Sequence, residues 1–64
     1  MMMVKVYRYK VTDPKAGYDR IADRMGTIDF IENLAQGWPI YSSQTFVPAS
    51  QVDESGKTAI GFRA

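Results

Sequence analysis

Apolar and polar positions divide the chain into segments of different period. Residues 3–12, Met-Val-Lys-Val-Tyr-Arg-Tyr-Lys-Val-Thr, are rich in β-branched and aromatic side chains and contain no Gly or Pro. That composition predicts a strand. Alternation puts Met3, Lys5, Tyr7, Tyr9 and Val11 on one face and Val4, Val6, Arg8, Lys10 and Thr12 on the other. Apolar groups on both faces mark a central strand, or one whose second face meets a partner. Asp13-Pro14-Lys15-Ala16-Gly17 follows, a hairpin loop by its turn chemistry. Residues 18–25 then alternate as an exposed edge strand carrying Asp19, Arg20, Asp23 and Arg24. Ile21 and Met25 are four apart and would also suit a helix, but the preceding turn favours the strand.

The period changes after Gly26. Thr27 suits a helix N-cap, and Asp29 sits in the first turn, where the dipole favours an acid. Ile28, Ile31, Leu34 and Ala35, widened by Phe30, form a 3.6-period stripe that predicts a helix over 28–36. Gly37 follows as its C′ residue, and Pro39 prevents continuation. A helix this short is unstable alone, so the stripe must dock on the sheet. A third strand spans 40–47, polar in the middle, stopped by Pro48. Residues 48–64 read as an irregular tail, with one helical turn before Gly56 and either a short fourth strand or a frayed end from Lys57 onward.

The expectation is a single α+β domain over 1–64, arranged β-β-α-β. Its antiparallel sheet has the order 2-1-3, with one helix packed on one face. Which face of the first strand the helix takes stays open. Either choice leaves the other face bare, and a bare apolar face is a contact surface. Enclosure of both faces within one chain would remove that argument.

Sixty-four residues without Cys allow neither a disulfide framework nor a zinc ribbon. A domain this size buries only about 60 % of its unfolded surface. The 45 % hydrophobic and 23 % charged content argues against disorder. No apolar run approaches the roughly 18 residues of a membrane span, and no leader pattern opens the chain. The expectation is therefore a soluble, cytoplasmic protein with no membrane contact. Net charge is +1 but uneven. Lys5, Arg8, Lys10, Lys15, Arg20 and Arg24 outnumber three acids over 5–24, whereas 29–54 holds Asp29, Glu32, Asp53 and Glu54 and no base. A mixed solvated surface is the commoner meaning; a basic hairpin meeting an anionic partner is the sharper one.

The run Tyr-Arg-Tyr-Lys-Val-Thr-Asp-Pro, then Arg24-Met25-Gly26-Thr27, an acidic helix, a Gly and Val52-Asp53-Glu54-Ser55-Gly56, resembles small uncharacterised proteins of proteobacteria and their prophages. The resemblance spans most of the chain and its motifs have low specificity. It implies a bacterial or phage source and transfers no catalytic residue.

Without His or Cys, catalysis by a Ser-His-Asp triad or a Cys-His pair is excluded, as are imidazole and thiolate metal sites. Ser55-Gly56-Lys57-Thr58 ends like a phosphate-binding loop, but the required first Gly is Gln51 and the acids beside it repel phosphate. Adjacent Asp53 and Glu54 do not face one another as an acid/base pair. The reading is therefore no enzyme, no cofactor and no metal. It is a small interaction or regulatory module that binds protein, either a second copy or a host or phage target, in the manner of a phage or prophage inhibitor. The alternative is a single-stranded nucleic-acid binder, with Tyr7 and Tyr9 stacking on bases and Arg8, Lys10, Arg20 and Arg24 meeting phosphates. The candidate interaction surface comprises Lys5, Tyr7, Arg8, Tyr9, Lys10, Arg20, Arg24 and Trp38. For Tyr7 and Tyr9 the plainer role is packing beneath the helix, and for Trp38 a lid on the helix end.

Overall fold

Strand β1 (Met3–Asp13) forms the centre of a three-stranded antiparallel sheet, flanked by β2 (Tyr18–Ile21) and β3 (Trp38–Pro48) in the order β2-β1-β3. The computed structural model describes residues 2–15 and 17–62. Ala16 of the hairpin loop and the last two tail positions lie outside the described residues. The loop follows its turn chemistry. Asp13 Oδ1 accepts from the Lys15 N–H at 3.0 Å, and the Gly17 N–H donates to the Asp13 carbonyl at 2.8 Å, with Gly17 at φ +76°. That positive φ suits a residue without a Cβ. β2 is short and fully exposed, as its charges foretold, and it ends four residues before Met25.

The helix over 28–36 does not form. In its place one helical turn starts at Ile28 and opens into a π turn, Phe30–Leu34, so no true helix packs on the sheet. Its start obeys the sequence: the Phe30 N–H donates to Thr27 Oγ1 at 3.2 Å and the Ile31 N–H to the Thr27 carbonyl at 2.9 Å. The ladder then widens, the Ala35 N–H reaching five residues back to the Phe30 carbonyl. Gln36, at φ 55°, takes the left-handed position expected of Gly37. Gly37 serves a different need. Its backbone passes so close to the Lys10 carbonyl that a Cβ there would overlap it. The chain must therefore stop its helix early enough to lay Gly37 against β1. Of the expected stripe, Ile31 and Phe30 are buried, Ile28 and Ala35 are partly so, and Leu34 is 62 % exposed. One turn brings only its two consecutive anchors down onto the sheet.

Both faces of β1 are covered around its middle, at Val6, Tyr7 and Tyr9. Tyr7 and Tyr9, each 4 % exposed, pack with Phe30 and Ile31; the Tyr9 and Phe30 rings meet edge to face at 5.8 Å. On the other face Val6, fully buried, packs with Met25 and Val47, and Val4, Val52 and Phe62 close the cluster. The tail supplies this second cover. Gly26 bridges Tyr7 on one side and Lys57 on the other, so 57–58 lie beside the sheet without becoming a regular fourth strand. The one turn expected in the tail falls at Ala49–Gln51, earlier than Gly56, as a 3-10 turn.

Asp53 organises the tail loop. Its Oδ1 accepts the N–H groups of Ser55, Gly56 and Lys57 and the Ser55 hydroxyl. Its Oδ2 pairs with Lys57 Nζ at 3.1 Å, and that ammonium also lies 5.6 Å from the centre of the Phe30 ring. Gly56, at φ +98°, presses against Thr27, whose N–H donates to the Gly56 carbonyl at 2.8 Å. The π turn and the tail loop thus hold each other in place.

Candidate functional site

The eight candidate residues do not form one surface. Tyr7 and Tyr9 are core. Tyr7 is enclosed by the Tyr41 ring at 5.7 Å and donates its hydroxyl to Gln44 Oε1 at 3.3 Å. Burial pushes the Tyr9 hydroxyl above its ordinary pKa, against the opposing charges of Arg24 and Arg20. Neither ring is open to a base. Lys5 shares the tyrosine face, with its ammonium 5.7 Å from the centre of the Phe46 ring. Arg20 lies across from Val11 and pairs with Asp13 at 3.7 Å.

Arg8, Lys10 and Trp38 remain together on the opposite face, the one that begins with Val4 and Val6. The register decides this. Lys10 lies across from Ile21 on one side and Trp38 on the other, and Arg8 lies across from Ile40. Directly paired residues point to the same face. Ile21, Lys10 and Trp38 therefore form a row across all three strands, and Arg8 and Ile40 form part of the next row. Ile21 is 47 % and Trp38 44 % exposed. The cluster of Met25, Val47, Val52 and Phe62 covers this face around Val4 and Val6, and its far end stays open. Trp38 starts β3 instead of capping a helix.

The bend in β3 contributes to this layout. Between Val6 and Arg8 the pairing with β3 jumps from Thr45 to Ile40, so 41–44 bulge opposite Tyr7. Ser43 repairs the ladder: its hydroxyl accepts from the Arg8 N–H at 2.8 Å and donates to the Ile40 carbonyl. The polar middle of the segment, Ser42-Ser43-Gln44, is the sequence trace of that bulge. Sequence reasoning missed it, as it missed the parts played by Asp53 and Thr58; the Asp-x-Ser-Gly turn signal was the available clue.

The phosphate-loop likeness at Ser55-Gly56-Lys57-Thr58 has a structural explanation. Three successive N–H groups do converge, but on the Asp53 carboxylate, which already fills the place an anion would take. Hydrogen bonds from Ser55 and Lys57 hold that carboxyl well below the usual carboxylate range. No group of three acids able to hold a metal ion occurs among the described residues. No helix among them is long and apolar enough to cross a membrane. Comparison with known proteins gives no match to a family model, a curated protein or a solved structure.

Proposed function

We propose that this chain is a non-enzymatic protein-interaction module whose contact surface is the open end of the sheet. No sheet face is wholly bare, because both faces of β1 are covered around Val6, Tyr7 and Tyr9. The observation that carries the proposal is the row Ile21–Lys10–Trp38, two exposed apolar side chains flanking a cation. Arg8 adds a second positive charge nearby. Such a surface suits a protein segment that is apolar and acidic, the apolar groups covering Trp38 and Ile21 and the carboxylates meeting Lys10 and Arg8. The chain itself holds such a segment: Glu32, Asn33 and Leu34 are exposed within the stretch that has no base. A second copy is therefore the first partner to test. A regulatory role in a bacterium or its phage, the setting implied by the resemblance, belongs to the same proposal.

Trp38 is the only tryptophan and reports on its own surface. Light scattering over a concentration series, read with Trp38 emission, tests self-association; titration with peptides of alternating acidic and apolar residues tests a foreign partner. The expected result is a blue-shifted emission on association, weakened by added salt and abolished in K10E. A monomer at every concentration whose emission no such peptide moves would overturn the proposal. Salt-sensitive binding of a single-stranded oligonucleotide through Trp38, without peptide binding, would favour the nucleic-acid reading, which has lost both tyrosine platforms.

A further inference from the structure

Where the apolar cover over Val6 ends, it leaves a cavity of about 150 Å³. Arg8 and Arg24 line it together with Met25, Ile60 and Phe62. A space of about this volume accommodates one benzene ring. Both arginines are half-buried, and neither guanidinium makes an ion pair or a side-chain hydrogen bond among the described residues. Arg20 and Lys57 are paired, with Asp13 and Asp53, and the unpaired Lys5, Lys10 and Lys15 are exposed to water, so Arg8 and Arg24 are the cations that are both partly buried and unpaired among the described residues. Two partly desolvated like charges on one wall cost free energy that a bound anion would offset. The acid in the lining is Asp23, which is exposed and whose carbonyl is occupied by the Gly61 N–H at 2.6 Å. Two arginines against one aspartate leave the lining with a charge of +1.

We propose that this cavity binds a small ligand with an oxyanion, carboxylate or phosphate, on an apolar or aromatic body. The guanidinium groups present planar pairs of N–H donors, which match either oxyanion. Phe62, Ile60 and Met25 provide the wall against which the body packs. This site shares Arg8 with the surface beside Trp38, but Trp38, Lys10 and Ile21 do not line it, so W38A separates the two.

The test is an amide NMR titration of the full chain at low ionic strength with inorganic phosphate, phenyl phosphate and benzoate. Saturable shifts are expected at Arg24, Met25 and Gly61, with phenyl phosphate or benzoate binding at least about tenfold more tightly than inorganic phosphate. The tighter of the two aromatic probes names the oxyanion. R8Q and R24Q should each weaken that probe about tenfold or more, with thermal melting unchanged or raised, since neither residue gives up an ion pair. W38A should bind as the parent does. Absence of saturable shifts with all three probes, or unchanged affinity in both R8Q and R24Q, would overturn the proposal. Equal affinity for inorganic and phenyl phosphate would remove the apolar body from it.

Discussion

Thr58 holds Met25 twice. Its N–H donates to the Met25 carbonyl at 2.9 Å, and its hydroxyl oxygen accepts the Met25 N–H at 3.0 Å. Thr58 is the buried polar residue of the core, and every buried side-chain polar atom among the described residues has a partner. Through this clamp the tail keeps Met25 against Val6 and Val47. Substituting Thr58→Val keeps the volume but leaves the Met25 N–H unpaired, at a cost of about 1–3 kcal/mol. Urea unfolding is expected to show that loss, and T58S should recover most of it.

The two anchors of the π turn separate from the rest of the apolar stripe. Phe30→Ala removes the edge-to-face partner of Tyr9 and the ring beneath Lys57. The expected loss is about 3–5 kcal/mol, comparable with the whole stability of a domain this small. Leu34→Ala should change stability by less than about 0.5 kcal/mol, because Leu34 is exposed. Equal losses for the two in chemical denaturation would restore the helix read from the sequence.

Gly37 and Gly17 are required for different reasons. Gly37→Ala forces a methyl group onto the Lys10 carbonyl, with an expected cost of about 1–3 kcal/mol or more. A Cβ at Gly17 meets open space, so G17A should cost about 1–2 kcal/mol, from the positive φ alone. Amide exchange of the β1 backbone near Lys10 should rise in G37A and stay unchanged in G17A.

The pH dependence has two identifiable ends. The Asp53 carboxyl is lowered when folded, so in acid the unfolded chain binds more protons than the folded one. Its contribution is present above the unfolded value, about pH 3.9, and fades as pH falls below it. The Tyr9 hydroxyl is raised, so its contribution is complete below about pH 10 and is lost as pH rises from there through the folded value. Melting curves across pH should show a weaker acid slope in D53N and a weaker alkaline slope in Y9F.

Much of the sheet was legible in the chain. The β-branched and aromatic run of β1, with apolar groups on both faces, suited the central position it takes, and the Asp-Pro…Gly turn set β2 beside it. The charges of β2 marked it as an edge. These features are local, carried by alternation and turn chemistry within about ten residues. The candidate surface was legible only in part. Sequence placed Arg8 and Lys10 on one face, but could not bring Trp38 beside Lys10, because that depends on the β1–β3 register and the bulge opposite Tyr7.

Alternation and turn chemistry along the chain marked three strands, with β1 beside β2, and separated Tyr7 and Tyr9 from Arg8 and Lys10, but they did not set the ends of β2 and β3. Tertiary structure decided that the helix would yield to a single turn and that the tail would close the second face. It also decided which aromatic stays exposed. The physical reason is competition for one small sheet. Gly37 must pass the Lys10 carbonyl, and Gly26 must lie between Tyr7 and Lys57. These long-range contacts outweigh the weak preference of nine residues for a regular helix.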